Sequence, residues 1–148
     1  MSLILLDTNI LISSYDQNDP TKQTQAILVM EWLHQSNAGR ISVQSLAEFM
    51  NLAMKKLKPP LSAKEALSQA GLLSKLWYVY DLTPEIVLEA GRGVRDHHLA
   101  YYDAQIWATA RLNQVPVVFS EDFQDRLTLE TVTFINPFLA EFRIEEWI

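Results

Sequence analysis

Short aliphatic runs alternate with longer amphipathic segments along most of the 148-residue chain, and this alternation limits the folds open to it. The first run, Leu3–Leu6, has the character of a short strand buried on both faces. Strands separated by helical segments are typical of α/β domains with a mostly parallel sheet. We therefore predict one α/β domain with about five strands, at Leu3–Leu6, Ile41–Val43, Tyr78–Leu82, Pro116–Phe119 and Thr131–Ile135.

The segments between these runs have apolar residues at helical spacing or begin with residues that cap helices. Ala26, Met30 and Leu33 share one helical face, and Ser62 followed by Glu65 forms a capping-box pattern. We predict helices at residues 9–15, 22–35, 44–57, 62–77, 86–95 and 101–113.

Composition excludes several classes of protein. Cysteine is absent, so the chain can form no disulfide, thiol nucleophile or cysteine-based zinc site. Twelve basic and 18 acidic residues give a formal net charge of −6, which argues against a broad basic surface that coats nucleic acid. An enzyme that touches nucleic acid at one place remains compatible, since metal held by acids offsets their charge locally. The apolar runs are shorter than the roughly 20 residues of a membrane helix, and we expect a cytoplasmic protein without membrane association.

Several acidic residues stand where a site can form. Asp7 ends the first strand and Asp122 lies just past the fourth, and sites in parallel α/β sheets form outside the carboxyl ends of strands. Asp103 is an unpaired carboxylate on the apolar face of its helix, which is costly to bury without compensation. Glu48 lies opposite the apolar face of its helix and has the pattern of a solvated residue.

Each acid also has an ordinary structural interpretation. Asp7 and Asp122 are suited to cap the helix or turn that follows, with Glu121 and Asp125 as competing acids, while Glu48 fits a surface position. Asp103 has three candidate ion-pair partners, which are Arg92, Arg95 and Arg111. Taken together, the acids describe an all-oxygen cluster that suits Mg²⁺ or Mn²⁺ rather than zinc.

Five sequence blocks occur in a fixed order: "LLDTNILI", "DPTKQTQA", "SVQSLAEFMN", "YYDAQIWATA", and "SEDFQD" followed by "INPF". With these blocks the chain resembles the PIN-domain nucleases, and most closely the VapC-type toxins of bacterial toxin–antitoxin pairs. The similarity spans about Leu3 to Phe138. It implies a three-layer α/β/α PIN domain at residues 1–138, with residues 139–148 as an extension that packs on the domain or on a dimer partner.

The resemblance also implies a set of site residues. The family's four catalytic acids fall on Asp7, Glu48, Asp103 and Asp122, and its supporting residues fall on Asn9 and Ser120. The chain departs from the family at Arg126, where relatives usually have Gly, and at the tail beyond residue 138, where relatives often end.

The activity implied is that of a metal-dependent endoribonuclease, the toxin of a toxin–antitoxin pair, that leaves 5′-phosphate and 3′-hydroxyl ends. Asp7, Asp103 and Asp122 would hold Mg²⁺ or Mn²⁺, and Glu48 would bind the metal through water or help deprotonate the nucleophile. Basic residues near the acids would hold flanking phosphates, although each alone also fits a solvated face: Lys55, Lys56, Arg92, Arg95 and Arg126. A small antitoxin and a homodimer are the implied partners.

Other functions stay open. A haloacid-dehalogenase-type phosphatase needs a second Asp where Asn9 stands, and a receiver-like domain needs a Lys where Phe119-Ser120 stands. A dinucleotide enzyme is disfavoured because Gly occurs four times and no Gly-rich loop follows a strand. A housekeeping RNA-processing PIN nuclease and a non-catalytic binding module on the same fold are the remaining alternatives.

Overall fold

The computed structural model describes residues 2–147, which form six strands and six α-helices. The strands are β1 (Ile4–Leu6), β2 (Gly39–Ser42), β3 (Tyr78–Tyr80), β4 (Val117–Phe119), β5 (Thr128–Leu129) and β6 (Val132–Ile135). The helices are α1 (Thr8–Ser13), α2 (Pro20–Gln35), α3 (Val43–Lys55), α4 (Ala63–Leu76), α5 (Pro84–His97) and α6 (Tyr101–Leu112). A single turn of 3₁₀ helix follows at Ile144–Glu146. No helix within this described part of the chain is long and apolar enough to cross a membrane.

One sheet with the strand order β3-β2-β1-β4-β6-β5 forms the middle layer. Every pairing is parallel except that of β5 with β6, which is antiparallel. β1 lies between β2 and β4, and all three of its residues are fully buried, as expected for a central strand of a parallel sheet. The carboxyl ends of β1 and β4 are in register, since Leu6 pairs with Phe119.

Hydrophobic cores lie on both faces of the sheet, which gives the three layers. On one face α1 to α4 bury residues such as Ile10, Leu33 and Phe49. On the other face α5 and α6 pack around Trp107, which is fully buried. The prediction of a three-layer α/β/α domain is therefore confirmed.

The sheet differs from the prediction in its sixth strand. β5 has only two residues, and neither is fully buried, so it lacks the apolar run that marks the other strands. It forms because the chain turns at Glu130, whose φ is 57°, and pairs with β6. The five predicted strands are all present, although Val43, predicted to end the second, begins α3 instead.

The C-terminal tail contacts the core next to β4. The ring of Phe142 lies 5.4 Å from that of Phe119, and the ring of Trp147 lies 6.3 Å from it, both edge-on. Ile144 is buried in the same core. These contacts favour packing of the tail on its own domain, while the division of the chain at residue 138 stays a prediction.

Candidate active site

Asp7 and Ser120 meet where β1 and β4 end side by side. The Asp7 amide donates to the carbonyl of Phe119 at 3.0 Å, and the Ser120 hydroxyl donates to Oδ2 of Asp7 at 2.7 Å. Asp7 is also the N-cap of α1, because its Oδ1 accepts a hydrogen bond from the Thr8 amide at 2.7 Å. The structural interpretation of Asp7 as a cap is thus correct, and the same carboxylate also lines a cleft.

The hydroxyl of Ser120 has a defined orientation. Its oxygen accepts hydrogen bonds from the Asn9 side-chain amide at 3.3 Å and from the Asp122 backbone amide at 3.1 Å. A hydroxyl has one proton and two lone pairs, so two donors on the lone pairs leave the proton for Asp7. Ser120 is fully buried and places Asp7 and the backbone of Asp122 relative to each other.

Asn9 connects the two strand ends from the α1 side. Its Nδ2 lies 3.5 Å from Oδ2 of Asp7, and its Oδ1 accepts a hydrogen bond from the Glu121 amide at 3.4 Å. The side chain therefore contacts the loop that carries Asp122 and the carboxylate of Asp7 together. These contacts agree with the supporting positions that the resemblance implies for Asn9 and Ser120.

Glu48 is half-buried and faces the same cleft, although its helical pattern indicated a solvated residue. Its Oε1 accepts hydrogen bonds from the Thr8 hydroxyl and from the Gln44 side-chain amide, both at 3.1 Å. Both bonds fall on Oε1, which leaves Oε2 for the cleft. The contact with Thr8 crosses from α3 to α1 and is not visible in the periodicity of α3 alone.

A buried chain of amides joins α3 to α6. Gln44 is 8% exposed and donates to the carbonyl of Tyr102 at 3.1 Å, while its own Oε1 accepts a hydrogen bond from Gln105 at 2.9 Å. Gln105 is 4% exposed, and its oxygen accepts a hydrogen bond from the Tyr101 hydroxyl at 2.9 Å. The first turn of α6, which holds Asp103, is thereby tied to the helix that holds Glu48.

The four predicted acids line one cleft of about 340 Å³ at the carboxyl edge of the sheet. Burial raises the pKa of Asp7 to about 7, against the lowering effect of the hydrogen bonds from Ser120 and Thr8, and the charges of Asp122 and Glu48 raise it further. Burial also raises the pKa of Asp103, again with the charges of Asp122 and Glu48 acting in the same direction. The charges of Glu48 and Asp122 therefore act on both Asp7 and Asp103.

The acids of the cleft supply oxygen donors, and neither His nor Cys stands in its lining, which is the chemistry that suits a hard divalent cation. As placed, no three His, Asp or Glu side chains between residues 2 and 147 are grouped as the ligands of one ion are. The donor set fits Mg²⁺ or Mn²⁺ in kind.

The acids that compete with Asp122 have other contacts. Asp125 accepts a hydrogen bond from the backbone amide of Asn136 at 2.8 Å and does not line the cleft. Glu121 lines the cleft and pairs with the ammonium group of Lys22. Asp122 is exposed, so its side chain faces the solvent in the cleft. Asp122 therefore remains the assignment that the geometry favours.

The loop after Asp122 adopts the backbone conformation that glycine favours. Arg126 has a φ of 65°, in the left-handed region, and its amide donates to the carbonyl of Phe134 at 2.8 Å. The departure from Gly at this position therefore leaves the loop in a glycine-type conformation.

Of the five predicted RNA-binding residues, only Lys56 lines the cleft. Arg92 pairs with Glu89 and Glu130, and Arg95 pairs with Asp96. None of the three candidate partners of Asp103 pairs with it in the described residues, since Arg111 also contacts Glu89 and Glu130. The guanidinium groups are thus held by other carboxylates away from the lining, and we do not include Arg92 and Arg95 in the phosphate-binding surface.

Among the residues that contact the predicted acids or line the cleft with them, sequence reasoning did not select Thr8, Gln44 and Lys22. Thr8 lies within the "DTN" segment, and Gln44 stands four residues before Glu48, so both were close to residues already selected. Lys22 lies in "DPTKQTQA", a block that supports the family resemblance but in which no site residue was predicted. Spacing to a known acid was the available signal for Thr8 and Gln44.

Comparison with solved structures identifies similar folds. A chain of a toxin–antitoxin complex from Klebsiella pneumoniae matches with a TM-score of 0.65 and 20% identity, over 90% of this chain and 97% of that one. A DNA-bound VapBC from Salmonella typhimurium matches with a TM-score of 0.63 and 17% identity, over 90% and 97%. The toxin VapC20 of Mycobacterium tuberculosis, described as cleaving the sarcin–ricin loop, matches with a TM-score of 0.59 and 18% identity, over 80% and 89%.

Comparison of sequences gives the family. No curated protein matches the chain. The model of the PIN domain family matches residues 4–127, which include all four acids of the cleft. The chain therefore belongs to the PIN domain family.

Proposed function

We propose that the protein is a divalent-metal-dependent endoribonuclease and acts as the VapC-type toxin of a toxin–antitoxin pair. The observation that carries the proposal is the convergence of Asp7, Glu48, Asp103 and Asp122 on one cleft, with Ser120 and Asn9 bonded to Asp7. Members of the PIN domain family generally use divalent metal ions. The toxin chains among the structural neighbours support the toxin role.

Each acid has a distinct part in the proposed mechanism. Asp7, Asp103 and Asp122 would hold Mg²⁺ or Mn²⁺, and the ion would supply a Lewis acid for the scissile phosphate and lower the pKa of the attacking water. Oε1 of Glu48 is held by Thr8 and Gln44, and Oε2 would accept a proton from that water or bind the ion through water. In-line attack of that water on phosphorus would break the P–O3′ bond, and the departing oxygen would take up a proton from solvent, which leaves a 5′-phosphate and a 3′-hydroxyl.

Asp7 must be ionised to bind the cation, and burial opposes its ionisation. The hydroxyl of Ser120 and the amide of Thr8 stabilise the charged form through hydrogen bonds. A bound cation would lower the pKa of Asp7 further, because opposite charge favours the carboxylate. Ser120 and Thr8 therefore stabilise the ionised form of Asp7, which is the form that would bind the ion.

The partners in this proposal are an RNA substrate, a small cognate antitoxin that covers the cleft, and a second copy of the chain in a homodimer. The Salmonella neighbour is described as a DNA-bound VapBC. An antitoxin is expected on physical grounds as well, because a ribonuclease that is free among cellular RNA needs restraint.

The direct test is cleavage of total cellular RNA by the purified chain with added Mg²⁺ or Mn²⁺, followed by mapping of the new ends. We expect discrete cuts with 5′-phosphate ends, no cuts in excess chelator, and no cuts by Asp103→Asn. Thr128→Ala, a change on the exposed strand β5 outside the cleft lining, is the matched control and should cleave like wild type. Cleavage that continues in chelator, or in Asp103→Asn, would contradict the mechanism.

A further inference from the structure

Lys22 lies on the wall of the acidic cleft, in the first turn of α2. Its ammonium group forms an ion pair with the carboxylate of Glu121 and lies 5.2 Å from the ring centre of Phe138. Its backbone amide donates to Oδ1 of Asp19, the residue that caps the helix. The backbone and the ammonium group of Lys22 are therefore both held at the cleft.

The position of Glu121 is linked to that of the proposed metal ligands. Its backbone amide donates to Oδ1 of Asn9, whose Nδ2 approaches Asp7, and the next residue in the chain is Asp122. Through Glu121, the ammonium group of Lys22 is placed against the loop that carries Asp122. The pair thus bridges α2 and the end of β4 beside the four acids.

The charge of the cleft shows why this lysine matters. Seven carboxylates line it, belonging to Asp7, Asp16, Asp19, Glu48, Asp103, Glu121 and Asp122. Lys22 and Lys56 are the basic residues in that lining. An RNA strand that enters brings a negative phosphate on each side of the scissile bond, and a divalent cation at the acids acts mainly on the central phosphate. The neighbouring phosphates need another source of positive charge.

An ammonium group has three N–H donors and no acceptor. Glu121 accepts from one of them, so two donors remain available to a phosphate oxygen. Lysine is a compact charge on a flexible stem, and Lys22 can turn towards a phosphate without leaving Glu121. Lys22 is only partly exposed, and its pairing with Glu121 and its contact with Phe138 hold the ammonium group close to the acids.

We propose, resting on the ribonuclease function above, that Lys22 binds a backbone phosphate adjacent to the scissile bond and that Glu121 weakens this binding by sharing the ammonium group. Lys22 is then a substrate-binding residue, and Glu121 sets the affinity of this phosphate subsite. The ligand class is the phosphodiester backbone of single-stranded RNA.

The test measures binding separately from cleavage. A short fluorescein-labelled single-stranded RNA of mixed sequence is titrated with the full chain, with Ca²⁺ in place of Mg²⁺, at several KCl concentrations. Each phosphate contact with single-stranded nucleic acid contributes about 0.7 to the slope of log K against log salt concentration. We expect Lys22→Gln to weaken binding several-fold and to reduce the magnitude of this slope by about 0.7. Lys22→Arg, which keeps the charge, should retain the wild-type slope.

Two further variants separate this subsite from general charge effects and from folding. Glu121→Gln should tighten binding more than Asp16→Asn, which removes another carboxylate of the same lining, because only Glu121 shares the ammonium group of Lys22. Lys75→Gln changes an exposed lysine on α4 outside the cleft lining and should bind like wild type. If Lys22→Gln proves unstable in a thermal melt, the Glu121→Gln result still decides the proposal.

The outcomes distinguish this inference from the proposed function. If wild type cleaves RNA with Mg²⁺ or Mn²⁺ but Lys22→Gln keeps the wild-type affinity and slope, the subsite is wrong and the ribonuclease function stands. Glu121→Gln that binds no more tightly than Asp16→Asn also overturns the subsite. If wild type, shown to be folded, cleaves no RNA, the proposed function fails and this inference fails with it.

Discussion

The hydroxyl of Ser120 donates a 2.7 Å hydrogen bond to Oδ2 of Asp7, although the two residues are 113 positions apart in the chain. The contact exists because β1 and β4 are paired in parallel and end in register. It supports the ionised form of a carboxylate whose burial favours the neutral form. The first prediction follows from this opposition.

Ser120→Ala removes the hydrogen bond that lowers the pKa of Asp7. We expect the pKa of Asp7 to rise, so that cleavage is lost at a higher pH when the pH is lowered. The acidic limb of the pH–rate profile should therefore shift to higher pH, with reduced activity at neutral pH. Ser14→Ala, which removes a hydroxyl bonded to the carbonyl of Leu11 outside the cleft, is the control. An unchanged acidic limb would show that Ser120 does not act on Asp7.

Asp7 should make the metal-free protein less stable as the pH rises. Its pKa is about 7 in the folded state and about 4 when unfolded, so the folded state holds the extra proton between these values. Stability should therefore fall from pH 4 to pH 7 and level off above pH 7. The expected loss from this residue is on the order of a few kcal/mol.

Asp7→Asn removes the titration and should flatten this dependence, with a higher free energy of unfolding at pH 8 in chelator. Urea unfolding at a series of pH values measures both effects. Asp16→Asn, which removes another carboxylate of the cleft lining, serves as the comparison. If the free energy of unfolding changes by the same amount between pH 5 and pH 7 in wild type and in Asp7→Asn, Asp7 is not the group whose titration lowers the stability.

Loss of the hydrogen bond between Gln44 and Gln105 should lower both the stability of the protein and its activity. Gln44→Met keeps the volume of the side chain but leaves the buried amide of Gln105 without its acceptor, which costs about 1–3 kcal/mol. It also removes a hydrogen bond from Glu48, so activity should fall more than stability alone explains. The measurements are urea unfolding and cleavage rate at a pH and temperature where wild type and Gln44→Met both remain folded.

The double variant Gln44→Met/Gln105→Met tests the pairing directly. Because both partners are then apolar, its loss of stability should be smaller than the sum of the two single losses. Additive losses would indicate that the two amides do not act as a unit. Recovery of stability without recovery of activity is the expected combination, since Glu48 still lacks its bond from Gln44.

Arg126→Gly should stabilise the protein. The left-handed conformation costs a residue with a side chain about 1–2 kcal/mol, and glycine avoids most of this cost. The exposed contact of Arg126 with Glu146 at 3.5 Å contributes little in return. We expect a rise in melting temperature of a few degrees for a domain of this size. Arg126→Ala should give no comparable gain, because alanine keeps the Cβ.

Expression of the chain without an antitoxin should arrest the growth of its host. Asp103→Asn should abolish the arrest while accumulating as folded protein, because it removes a charge from the cleft without changing the size of the side chain. Colony counts and protein levels after induction provide the measurement. Growth that continues at high levels of the wild-type chain would favour a housekeeping nuclease.

The sequence was sufficient to predict the kinds of element and their order. The aliphatic runs and helical faces report which side of each segment is buried, and that information is local. It was also sufficient to place Asp7 at the end of a buried strand and Asp122 just past another, whereas Ser120 was assigned through the resemblance to the PIN-domain nucleases. The two-residue strand β5 escaped prediction because it depends on pairing with β6 rather than on its own composition.

The orientation of Glu48 shows what local patterns could not determine. By its own helix it belongs to the solvent face, yet Thr8 from α1 and the Gln44–Gln105 pair between α3 and α6 direct it into the cleft. Lys22 meets Glu121 across 99 positions of sequence for the same kind of reason. Periodicity records the burial of a face, whereas hydrogen bonds and ion pairs depend on which distant segments become neighbours. The amino-acid sequence alone thus determined the elements and the acids at the strand ends, and only the packing of helices against the sheet decided which polar side chains would surround them.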